Sequence, residues 1–146
     1  MTTTAASTRT HPGATWKATF AAGGLGAAGA LVVNIVLATA GRAVFNVPST
    51  FQPLTLAVYG PLTVLGALIG AIGWRLAVNR SRDPGRLLTR LVPAVLVLSF
   101  IPDIVLGVSG SQPGTTTGGV INLMLLHLGV AAAALPAYRR FMPPRP

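Results

Sequence analysis

The sequence predicts an all-α fold, a bundle of four transmembrane helices with both termini on the cytoplasmic side. Composition is the first observation behind this. Hydrophobic residues make up 51% of the 146 and charged residues only 9%, against about 25% charged in a soluble domain. Distribution is the second: the apolar residues gather into four runs free of Lys and Arg, over 18–40, 54–74, 91–108 and 119–137. Charge placement is the third, because ten arginines and one lysine fall between or beside these runs and give a net charge of +9. One domain suffices at this length, and lipid, not a water-excluding core, supplies its apolar surroundings.

The first run, 18–40, follows a Thr/Ser-rich tail over 1–17 that reads as disordered. At 1.5 Å per residue it is long enough to cross a hydrocarbon core of about 30 Å. Its small residues Gly23, Ala27, Ala30, Ala38 and Gly41 share one helical face with Asn34, a surface that another helix can approach closely. A competing reading is a cleaved signal peptide, since Arg9 and Lys17 precede the run and Ala38-Thr39-Ala40 has the small-x-small pattern. The run exceeds the usual 7–15 residues and has its own packing face, which favours a retained span. Within it Gly24-Leu25-Gly26-Ala27-Ala28-Gly29 matches G-x-G-x-x-G by letter. A dinucleotide site requires a preceding strand and an acid about 20 residues on, and no Asp or Glu occurs before Asp83.

The second run, 54–74, contains Gly66-Ala67-Leu68-Ile69-Gly70, a small-xxx-small motif. Four short spans need internal contacts first, so the motif is expected to pack within the chain; a homo-oligomer or another membrane partner stays open. Pro61 and Pro102 are expected to kink their helices, whereas Pro93 and Pro136 lie near the ends of the expected runs. The third and fourth runs are near the lower length limit and are connected by the uncharged Ser/Thr/Gly/Pro stretch 109–118. The chain then ends in a short tail, 139–146.

Orientation follows from arginine asymmetry, because short basic loops stay in the cytoplasm. Arg9, Lys17, Arg75, Arg80, Arg82, Arg86, Arg90, Arg139, Arg140 and Arg145 fall on one side and only Arg42 on the other. Trp16, Trp74 and Tyr138 are then expected at the inner interface, with Phe45, Phe51 and Tyr59 near the outer one. Residues 75–90 read as an arginine-rich cytoplasmic loop, in which Arg75, Arg80, Arg82, Arg86 and Arg90 contact anionic lipid at about 1 kcal/mol per basic residue. Basic residues segregated by membrane spans argue against a nucleic-acid partner.

Asp103 stands out chemically. Only two acids occur in the chain, and a carboxyl near the centre of a span disfavours insertion by roughly 2.5–3.5 kcal/mol. Helix rise places Asn34, Tyr59, Asp103 and His127 at about 8–12 Å from the outer surface, one from each span. They can form a single polar layer, with Arg42 reaching down from the first outer loop and Ser99 one turn below Asp103. Each has a plain role as well: Asn34 as an interhelical hydrogen bond, Tyr59 as an interface anchor, and Asp103 as a structural partner of Arg42 or His127. Asp103 in contact with His127 can equally exchange a proton and serve as a functional group.

Several chemistries are not supported by these residues. Cysteine is absent, which excludes disulfides and thiolate chemistry. One membrane histidine makes no metal or haem set, so neither metal nor cofactor is expected. No nucleophile has a supporting base, and the pattern is that of a non-enzymatic protein.

The segments Val92-Pro93-Ala94-Val95-Leu96-Val97-Leu98-Ser99-Phe100-Ile101-Pro102-Asp103 and Asn122-Leu123-Met124-Leu125-Leu126-His127 resemble those of small four-span bacterial membrane proteins grouped as a domain of unknown function. The resemblance covers most of the chain from the first span onward. It implies a four-helix integral membrane fold with Pro102-Asp103 and His127 as its characteristic polar positions, and it implies no activity, substrate or cofactor. The expected location is a bacterial inner membrane. The expected role is a bundle whose polar layer stabilises it or binds a ligand or partner; the alternative is a small transporter or proton-coupled permeation unit using Asp103.

Overall fold

Four spans are built from five α-helices in a computed structural model that describes residues 13–144. They are α1 (Trp16–Val44), α2 (Leu56–Arg80), α3 (Pro84–Ser99), α4 (Ile101–Ser109) and α5 (Thr117–Phe141), with a single 3₁₀ turn at Gln52–Leu54. Among the described residues there is no strand. The spans Trp16–Val44, Leu56–Arg80, Pro84–Ser109 and Thr117–Phe141 are all long and apolar enough to cross a membrane. Each therefore extends beyond its apolar run at one or both ends. Most of the tail expected to be disordered, 1–12, and residues 145–146 lie outside the described residues.

Helix α1 is the hub, flanked by α5 and α2. Its buried face is Thr19, Ala22, Gly23, Gly26, Ala27, Ala30, Asn34, Ala38 and Gly41, which includes every member of the predicted small-residue stripe. Helix α5 runs antiparallel along it: a Cβ on Gly26 would lie 3.2 Å from Ala134, and one on Gly41 would overlap the Asn122 side chain at 2.3 Å. Backbones this close gain dispersion contacts that longer side chains would prevent. Helix α2 meets the opposite side of the same face, with Gly23 against Leu68 and Ala71.

The third span is broken where the sequence predicts a kink. Pro102 has no N–H to offer Leu98, and its ring crowds that carbonyl. The backbone tightens instead, Phe100 N donating to Val97 O at 3.2 Å, before α4 restarts with Ile104 N on Phe100 O at 3.0 Å. Pro61, Pro93 and Pro136 lie within continuous helices. Pro93 and Pro136 are interior to α3 and α5, not near helix ends as the shorter runs suggest.

The basic end of the bundle corrects three expectations. Residues 75–90 are not a long loop: α2 continues to Arg80 and α3 begins at Pro84, with the Asp83 carboxylate capping it by accepting from Arg86 N at 2.9 Å. Asp83-Pro84 supplies an N-cap and a proline in the first helical turn, so the polar stretch winds into helix. Nor is the chain after Tyr138 a free tail, since α5 reaches Phe141 and Met142 is buried, its carbonyl accepting from Trp74 Nε1 at 2.8 Å and its sulfur from Thr19 Oγ1 at 3.4 Å. Finally, Trp74 and Tyr138 are core residues and not interface anchors; the Tyr138 hydroxyl donates to Ala67 O. The N-terminal segment is fastened at the same end, where Asn79 accepts from Ala14 N at 2.8 Å and donates to Ala14 O at 3.0 Å.

At the opposite end Phe51, Val47 and Leu54 are buried beneath the connection from α1 to α2. Phe51 and Tyr59 belong to this core cluster, which overturns their expected place in an outer aromatic belt. The two connections at this end touch: Gly114, at φ +73°, lies so close to Thr50 that a side chain there would collide. Its positive φ favours glycine for a second reason.

Candidate functional site

Asp103 and His127 meet. The break at Phe100 starts a new helix, and Asp103, in its first turn, is the only buried residue of α4. Helix α5 brings His127 from the other side, its Nδ1 3.3 Å from Asp103 Oδ2. Phe100 packs edge-on against the imidazole with ring centroids 6.0 Å apart.

The pair is not a fully satisfied ion pair. Nδ1 also lies 3.1 Å from Leu123 O, one turn earlier on α5, and a proton on Nδ1 directed there makes no hydrogen bond to Asp103. Oδ2 is buried and accepts no hydrogen bond among the described residues. The Asp103 side chain is 11% exposed, so a carboxylate whose Oδ2 has an imidazole beside it but no hydrogen bond is largely held away from solvent, a costly arrangement for a purely structural contact. Its position in the first turn of α4 does favour negative charge through the helix dipole.

A cavity of about 770 Å³ adjoins the pair, lying between α2 and α5 and bordered by α3 and α4. Asn34, Tyr59, Ser99, Asp103 and His127 all line it. Its remaining wall is apolar, with Val95 and Leu96 on α3 and Val130 on α5, and its floor carries Gly66, Gly70 and Gly73 of α2. Gly66 and Gly73 have no atom within 4 Å of where a Cβ would stand. The small-xxx-small motif is therefore not the tight helix seam expected of it. Gly70 approaches the Tyr138 side chain, while Gly66 leaves room.

Within this cavity the predicted polar layer divides. Asn34 Nδ2 donates to Thr63 Oγ1 at 2.9 Å, and Gly129 comes so close to Asn34 Oδ1 that a Cβ there would be 2.5 Å away. Asn34 is thus a lock among α1, α2 and α5. Ser99 Oγ bonds its own helix at Leu96 O, 2.7 Å away. Tyr59 is buried in the wall.

Arg42 does not reach the layer. Its Nη2 donates to Phe51 O at 3.1 Å and its Nε lies 3.4 Å from Leu54 O. A guanidinium can fasten the first connection this way because its planar fork offers several donors to neighbouring carbonyls. Arg75 also makes contacts within the protein: its Nε donates to Ala14 O at 3.1 Å and the guanidinium stacks 3.8 Å from the centre of the Trp16 ring. Arg80, Arg82, Arg86 and Arg90 remain exposed.

Three polar residues of the interior are not foreseen, Thr19, Thr63 and Asn122. Thr63 receives the Asn34 amide, and Asn122, wholly buried, lies against Gly41 with Nδ2 3.4 Å from Ala38 O. An amide in an apolar run was the available signal for Asn122, five residues before His127. Among the described residues no cluster of three His, Cys, Asp or Glu can hold a metal.

Four helices long and apolar enough to cross a membrane, with the Asp103–His127 contact among them, make this a small multi-pass membrane protein. The chain belongs to the DUF6069 family, a family of unknown function, whose model matches residues 11–143. That match spans the whole bundle, in keeping with the resemblance read from the third and fourth runs. No curated protein and no solved structure matches the chain.

Proposed function

We propose that this protein is a non-enzymatic membrane-embedded binding protein that takes a small, largely apolar ligand into the cavity beside Asp103 and His127. One observation carries the reading: a cavity of about 770 Å³ with an apolar wall has the Asp103 carboxylate at its edge, whose Oδ2 accepts no hydrogen bond among the described residues and has only the His127 imidazole beside it. Ligand sites are typically about 300–1,000 Å³, apolar, and oriented by a few polar groups. Among the described residues no nucleophile with a supporting base, second acid or metal set adjoins the pair, which favours binding over chemistry. A neutral apolar photolabel tests the reading. Saturable labelling of α2 and α3 that Gly66→Leu abolishes is expected; labelling that never saturates and follows lipid exposure alone contradicts it.

The positive-inside rule supports an orientation with both termini and the α2–α3 connection in the cytoplasm, and the membrane proposed is a bacterial plasma membrane. Since the sequence has no cysteine, single cysteines report cleanly on orientation. Ser111→Cys in intact cells should react with an impermeant maleimide and Ser81→Cys only after permeabilisation. Arg86 and Arg90 lie one turn apart at the start of α3, Arg82 lies just before it, and all three are exposed, an arrangement suited to anionic headgroups. A second functional reading, Asp103 as the protonatable group of a permeation unit, is favoured by the same carboxylate oxygen. Proton flux in proteoliposomes that Asp103→Asn abolishes would establish it, and no flux at any pH would remove it.

A further inference from the structure

We infer that the ligand class is a lipophilic amine bound as its cation, with an ammonium N–H on Asp103 Oδ2 and the hydrocarbon body along the glycine floor of α2. This rests on the cavity being a binding site, and it adds the chemistry that such a site selects.

The carboxylate is the first argument. The Asp103 side chain is only 11% exposed and lines the cavity, and among the described residues its Oδ2 has just the His127 Nδ1 beside it, at 3.3 Å and outside hydrogen-bonding geometry. A buried charge without a partner is costly, and the cost falls when a counter-charge arrives with a hydrogen bond. Among the described residues the protein's own cations do not meet that need. Arg42, at the same end of the bundle, holds Phe51 and Leu54 carbonyls, and the other described arginines and Lys17 belong to the basic end. His127 is adjacent, but its Nδ1 also has Leu123 O as a partner. What remains is a donor brought from outside, and charge complementarity makes it a cation.

The wall is the second argument. Beyond the polar residues named above, the cavity offers Val58, Leu62, Val95, Leu96 and Val130, surfaces suited to hydrocarbon. Gly66 and Gly73 leave open space where side chains would otherwise project. A hydrophilic cation such as a metal ion or a polyamine gains nothing from this wall, and a neutral hydrocarbon gains nothing from Asp103. A molecule with both parts uses both.

The test measures how dodecylammonium, dodecanol and dodecanoate compete with the neutral photolabel in wild type and in Asp103→Asn, each reconstituted in the same lipid. Partitioning into the bilayer is common to both proteins, so the wild-type to variant ratio isolates the carboxylate. Dodecylammonium is expected to compete at least ten-fold more strongly with wild type than with Asp103→Asn, and dodecanol equally with both. Retained saturable labelling of Asp103→Asn shows that its cavity is intact. Equal competition by dodecylammonium and dodecanol in wild type, or preference for dodecanoate, overturns the amine assignment while leaving the cavity as a binding site. Absence of saturable labelling in wild type overturns both.

Discussion

The seam between α1 and α5, rich in Gly and Ala, and the span formed by α3 and α4, rich in Leu and Val, are packed in opposite ways. In the apolar stretches of α1 and α5, 33% and 39% of residues are buried within the protein, against 6% for the third span. Glycine accounts for much of the contrast. At Gly41, Gly26 and Gly129 a neighbouring helix occupies the place of a side chain, whereas at Gly66 and Gly73 nothing does. One residue type thus closes the first half of the molecule and opens the second. The third span touches the rest mainly at its ends, through Pro84 and Leu88 near the basic end and through Asp103 beyond the break. Stability resides in one half and the candidate site lies at the margin of the other, in keeping with functional elements being drawn from the less stable parts of folds.

The contrast can be broken most severely at Gly41. Gly41→Val places its Cβ against the Asn122 side chain and is expected to lose about 3 kcal/mol or more, visible as a large drop in thermal unfolding temperature in detergent. A variant as stable as wild type would mean that the α1–α5 seam yields easily. Next comes Asn34→Ala, which removes the amide bond to Thr63 and is expected to cost about 0.6–2 kcal/mol in the same measurement.

Smaller effects are expected on the open side. In a stability cycle of Asp103→Asn, His127→Gln and the double variant, the coupling should fall below about 1 kcal/mol, because the imidazole also has Leu123 O as a partner. Larger coupling with destabilised single variants would make the pair a structural clasp and weaken the binding reading. Gly66→Ala, which meets no atom within 4 Å, should leave stability unchanged or raise it by about 0.4–1 kcal/mol. Destabilisation there would place a partner, a lipid or another chain against the glycine floor.

Span number, the buried stripe of α1 and the break before Pro102 are legible in the sequence because each follows from local chemistry: apolar length, helical period and a missing N–H. The Asp103–His127 contact is legible too, since depth counted along the two spans brings them to similar levels. Side-chain direction is not legible in the same way. Reach alone places Arg42 in the polar layer, but the carbonyls of Phe51 and Leu54 lie nearer once the 3₁₀ turn forms. Aromatic residues at span ends suit either an interface or a core, and only the helical face decides. Trp74 shares its face with the buried Ala67, Ala71 and Val78, a regularity that position in the chain does not convey. Asn122 required knowing that α5 is the partner of α1, a pairing set by tertiary packing.

That pairing has a consequence for biosynthesis. The polar amide of Asn34 and the bare backbone at Gly41 lie in the first helix made, while Gly129 and Asn122, which cover them, lie in the last. At about 5–20 residues per second the intervening chain takes roughly 4–15 s to emerge. During that interval the nascent protein presents an uncovered notch to lipid or to the insertion machinery, and any chain truncated before α5 keeps that notch as a visible mark of incompleteness.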